Sequence, residues 1–133
     1  MVDVENEVFT KVATALRNAF PGIDVKSTLE LLPTVFPCAC IEEISSAAYR
    51  NSIDSGSNEN HADVTYEVNI YSNSPTAGKS ECKAILKVVD DCFQRMGFIR
   101  MSKLPIRMND ATKYRFRATY RGVVSKNHTV YRR

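Results

Sequence analysis

Histidine is scarce in this sequence, and much of the chemistry a small enzyme would need is missing with it. There are two, His61 and His128; both fall in polar stretches predicted as loops, and neither stands in a nucleophile–base or metal-ligand spacing. Glycine is equally thin. Gly22, Gly56, Gly78, Gly97 and Gly122 are scattered over turns, helix ends and one strand, so there is no glycine-rich loop to cradle a phosphate. The four cysteines pair as Cys38-x-Cys40 and as Cys82 and Cys92, ten residues apart, which matches no zinc-ligand pattern. They are expected to be reduced and packed as small hydrophobes. The adjacent acids Glu42-Glu43 and Asp90-Asp91 would point in different directions on a strand or helix, as solvated charges rather than an acid–base dyad. No apolar run approaches the ~20 residues of a membrane helix. The opening residues 1–7 are polar and acidic, without the basic and apolar regions of a signal peptide, so a cytoplasmic site of synthesis is expected. These absences predict a non-enzymatic protein with no catalytic residue, no metal and no cofactor.

What is present fits one ordinary globular domain. The chain has 133 residues, 44% hydrophobic and 25% charged, which is long enough to bury a core without a disulfide or metal. A helix is predicted over 4–19: Val4, Val8, Phe9, Val12, Ala15, Leu16 and Ala19 recur at helical spacing, with Asp3 as the expected N-cap and Phe20-Pro21-Gly22 as the stop. A second is predicted over 79–96, where Cys82, Ile85, Val88, Val89, Cys92, Phe93 and Met96 share one arc before Gly97. Elsewhere the period is two. Strands are predicted at 23–26, 36–44, 62–70, 98–102, 114–120 and 129–132, the third and fifth alternating apolar and polar residues. The order α-β-β-β-α-β-β-β predicts an α+β two-layer sandwich, with both helices on one face of a mostly antiparallel sheet. Between the second and third strands, 45–61 reads as a long polar loop, either a mobile hairpin tip or an arm that orders on a partner.

Charge is unevenly spread. From Arg95 to Arg133 there are eleven Lys/Arg against the single acid Asp110, a net +10, whereas residues 1–94 carry seven basic and fourteen acidic residues, a net −7. Three readings follow for Lys113, Arg115, Arg117 and Arg121, the basic residues of the fifth strand. Arg115 and Arg117 could face Asp63 and Glu67 across neighbouring strands; the basic group could meet acidic residues of another copy; or it could contact nucleic acid. A sequence-reading DNA binder is the least favoured, because Tyr114, Phe116 and Tyr120 alternate away from the arginines and no helix-turn-helix pattern is present.

Several stretches, VENEVFTKVATALRNAFPG, FPCACIEEI, YEVNIYSN with GKSECKAILKVVDDCF, and DATKYRFRATYRGVVSKNHTVYRR, together resemble the tail terminator or tail completion proteins of long-tailed bacteriophages and prophages, often labelled minor capsid proteins. The resemblance runs from about Val4 to Arg133 and excludes the long loop. It implies an α/β sandwich that forms a ring, commonly a hexamer, on the end of the tail tube. Such a ring stops tube growth and presents the surface that joins the head. The implied partners are copies of itself, the tail-tube protein and the head–neck connector proteins, with non-specific proximity to DNA in the ring lumen, no membrane, and a place in the virion. Lys113, Arg115, Arg117 and Arg121 become candidate subunit-interface or lumen residues. A head-completion or neck protein of the same particle is the near alternative, and a small basic nucleic-acid-binding module the more distant one.

Overall fold

The structure, a computed structural model, describes residues 4–48, 61–110, 112–125 and 130–131. Among these residues eight elements follow one another: α1 (Glu5–Ala19), β1 (Asp24–Lys26), β2 (Cys38–Ala48), β3 (His61–Ser72), α2 (Gly78–Arg95), β4 (Ile99–Ile106), β5 (Tyr114–Ser125) and β6 (Val130–Tyr131). They form the expected α+β arrangement. One six-stranded sheet runs β1-β2-β3-β5-β4, with β6 paired to the end of β5 beyond β4. β1 is parallel to β2 and every other pairing is antiparallel.

The helical spacings place the core as predicted. Val8, Val12 and Leu16 of α1 and Ile85, Val89 and Phe93 of α2 are all buried, packed with Ile41, Val64, Tyr66, Val68, Ile70, Phe116, Ala118 and Tyr120 of the sheet in one apolar cluster. The centre is aromatic. Phe93 stacks on Tyr120 at 4.3 Å and 7°, and meets Phe98 edge-on at 5.4 Å; such pairs add to the area they bury. Phe98 takes that position because α2 ends in a Schellman turn. Gly97 adopts φ +96°, its N–H reaches the Gln94 carbonyl at 3.0 Å, and the Phe98 N–H reaches the Phe93 carbonyl at 2.9 Å.

Local details depart from the sequence reading where tertiary pairing decides them. Val4 stands at the N-cap of α1 with no side-chain cap; Asp3 lies outside the described residues. The strands outrun their periodic segments, because β2, β3 and β5 pair along almost their whole lengths. Ser45–Ala48 therefore belongs to β2, and His61 opens β3. The remainder of the predicted polar loop, 49–60, lies outside the described residues. Cys82 is buried and Cys92 half-buried on α2, as expected, whereas Cys38 and Cys40 join Tyr71 in a small second cluster on the far side of the sheet.

Candidate interaction surface

Strand alternation gives the sheet one face under the helices and one without them. Tyr114, Phe116, Ala118 and Tyr120 of β5 turn to the helices. Arg115, Arg117 and Arg121 alternate with them and therefore share the other face, opposite Tyr71, Asn69 and Thr65 of β3. Lys113 sits just before the strand. Four basic residues close in sequence thus reach the open side, but each meets a different environment.

Arg121 clamps Asp63 in a fork, Nε to Oδ1 at 2.9 Å and an Nη to Oδ2 at 2.6 Å, and this pairing raises its already high pKa. Lys113 pairs with Asp110 at 2.8 Å and lies 5.7 Å from the centre of the Phe36 ring. Hydrogen bonds from Lys113 and from the Thr112 hydroxyl and amide hold the Asp110 carboxyl well below the usual carboxylate range. Arg115 reaches Asn69 rather than an acid, donating twice to its Oδ1 at 3.0 and 2.7 Å, with its guanidinium 5.2 Å above the Tyr71 ring. Asn69, 2% exposed, donates in turn to Glu67 at 2.9 Å. Arg117 lies opposite Asn69 on one side and Leu104 on the other and makes no hydrogen bond or ion pair with a described side chain.

The cross-strand reading from sequence is therefore corrected in its residues. The expected acid partner Asp63 goes to Arg121, and among the described residues Arg115 meets Glu67 through Asn69. The net charges of the two chain segments partly cancel in space as well: β5 lies along β3, and Arg100 of β4 pairs with Asp90 of α2 at 3.0 Å. What survives is local. At one end of the open face Arg107, Lys113 and Arg115 border a cleft of about 490 Å³ walled by Leu31, Leu32, Pro33 and Met108. At the other, Asp63, Thr65, Arg121, Ser45, Ala47 and Met101 surround a shallower hollow of about 390 Å³.

Large apolar side chains at the surface escaped the periodicity argument. Leu31 and Leu32 are 64% and 80% exposed, and Val35, Ile44 and Met101 are also exposed. The signal for the first group was available: LELLPTV is a leucine-rich segment in a stretch to which no helix or strand was assigned. No three His, Cys, Asp or Glu side chains among the described residues cluster as metal ligands would. No described helix is long and apolar enough to cross a membrane.

The fold has a counterpart among solved structures. A chain from the virion of a native gene transfer agent particle superposes with a TM-score of 0.57 over 88% of this chain and 88% of its own length, at 13% identity. At that identity the shared property is the fold. No family model matches the sequence, and no curated protein matches it either.

Proposed function

We propose that this chain is a structural virion protein of a phage-like particle, and within it a tail terminator. Copies close into a ring, six being the expected number, on the end of the tail tube, stop its elongation and prepare the tail for joining to the head. The observation that carries the reading is the likeness, over 88% of both chains, to a component of a gene transfer agent virion. The sequence resemblance to tail terminators points the same way from different data. Lys113, Arg115, Arg117 and Arg121 then belong either to the contact between copies or to the lumen, where DNA passes without being read.

The test is capping. Purified tail tubes are incubated with the protein and viewed by negative-stain electron microscopy while tube subunits are added. Rings at one end of each tube, with growth arrested, are expected. Attachment to the vertex of tailless heads instead would make this a head-completion or neck protein. Attachment to neither would reject both roles.

A further inference from the structure

The sheet ends in two strand edges that complement one another. On one side β4 is outermost, and among the described residues no strand pairs with its outer edge. On the other side β1 covers only Cys38, Ala39 and Cys40 of β2, so Ile41–Ala48 has an outer edge that no described strand covers. Each stretch is eight residues long. Unpaired edges of this length are templates for strand addition, and edge charges, bulges and prolines, all present here, restrict which strand can add. Here they carry opposite charge, Glu42 and Glu43 on β2 against Arg100 and Lys103 on β4; within the chain Arg100 also pairs with Asp90 and Glu43 also accepts from the Tyr66 hydroxyl. Each also has an irregularity in its inner ladder, between Glu43 and Ser45 and between Arg100 and Ser102. At each irregularity a large apolar side chain stands out, Ile44 at 48% and Met101 at 56% exposed.

Strand direction fits the same match. From β2 through β3 and β5 to β4 the chain reverses three times, so β4 runs opposite to β2. Rotation about an axis lying along the strands preserves their direction. It therefore brings β4 of one copy antiparallel to β2 of the next. Pairing like with like is disfavoured, because β4 on β4 sets Arg100 and Lys103 against themselves and β2 on β2 does so with Glu42 and Glu43.

We propose that the occupant of these edges is a second copy of this chain, β4 of one copy pairing antiparallel with Ile41–Ala48 of the next. Such a contact is heterologous and repeats until the rotation closes. Pro105, which has no N–H to give, marks the end of the usable ladder on β4. The sheets of all copies then continue into one, with every helix layer on one side and Arg115, Arg117 and Arg121 on the other. For its closure into a ring this inference rests on the tail-terminator reading.

The test places one cysteine on each edge. In a Cys92→Ser background, which removes the one native thiol that is only half-buried, Ile44→Cys, Met101→Cys and the double variant are treated with a short bis-maleimide and run on a denaturing gel beside the background protein and wild type, with the native mass of each measured in parallel. The double variant is expected to give a ladder from dimer upward, while both single variants and the background protein remain single chains. A covalent dimer from either single variant means an edge pairs with its own kind, and overturns the proposal. So does a double variant that stays uncross-linked although native mass shows an oligomer; the ring reading survives that result on another surface. If the protein is a monomer at every concentration and on tube ends alike, both the edge contact and the ring reading fail.

Discussion

Arg115 and Arg121 lie on the same face of the same strand, yet substitution should expose different roles, because one is held by a carboxylate and the other by a buried amide and an aromatic ring. The cysteines show a similar contrast. Burial pushes the Cys82 thiol up to about 12 and raises Cys92 as well. Cys38 and Cys40 are neighbouring buried thiols of one cluster, and their interaction raises Cys38 and lowers Cys40. A lowered thiol would be reactive if it could be reached, but Cys40 is 1% exposed. Access therefore decides over ionisation. Iodoacetamide at neutral pH is expected to leave Cys38, Cys40 and Cys82 of the folded protein unmodified on a timescale at which all four cysteines react in urea, as read by intact mass. Rapid labelling of Cys40 in the native state would show that the cover over its cluster opens readily.

At the scale of elements, α2 and its turn carry the aromatic centre. Phe93 is fully buried and packs against Tyr66, Phe98 and Tyr120. Phe93→Ala is expected to cost about 3–5 kcal/mol, and Phe93→Leu markedly less, in urea unfolding followed by circular dichroism. Both helices, their buried faces and the Gly97 stop were legible in the sequence because a 3.6-residue period reports burial on one side. The strands at 62–70 and 114–120 were legible from alternation for the same reason. Strand lengths were not. Ser45, Ser46 and Ala47 carry no apolar signal, and their place in β2 is fixed by ladder partners Thr65, Val64 and Asp63. Nor could the sequence show that Arg121, and neither Arg115 nor Arg117, would take Asp63. Arg121 lies opposite Thr65 and reaches two residues along β3, a diagonal set by sheet register and twist. The basic residues were found, but their individual partners needed the register.

For the whole molecule, the decisive question about the basic strand is whether it serves the fold, the assembly or DNA, and the structure supplies a pair of probes. Replacing Arg115 with Glu removes two hydrogen bonds from the buried Asn69 and sets a carboxylate beside its oxygen. That should cost about 1–3 kcal/mol and lower the melting temperature by several degrees. Replacing Arg117 with Glu breaks no contact with a described side chain, so the melting temperature should stay close to that of wild type, the change lying within about 0.5 kcal/mol. If copies join through their strand edges, both sheet faces stay free of the contact, and Arg117→Glu should also leave the native mass of the assembly unchanged. Its effect should instead fall on DNA held non-specifically, where losing one phosphate contact weakens retention at low salt and flattens the salt dependence by about one unit of slope. The measurement is a salt titration of DNA binding by fluorescence anisotropy, wild type against Arg117→Glu, on assembled protein. Loss of the oligomer at an unchanged melting temperature would place Arg117 between copies. Unaltered DNA retention with an intact oligomer would leave the open face facing away from DNA, with the helix layer on the inside of the ring.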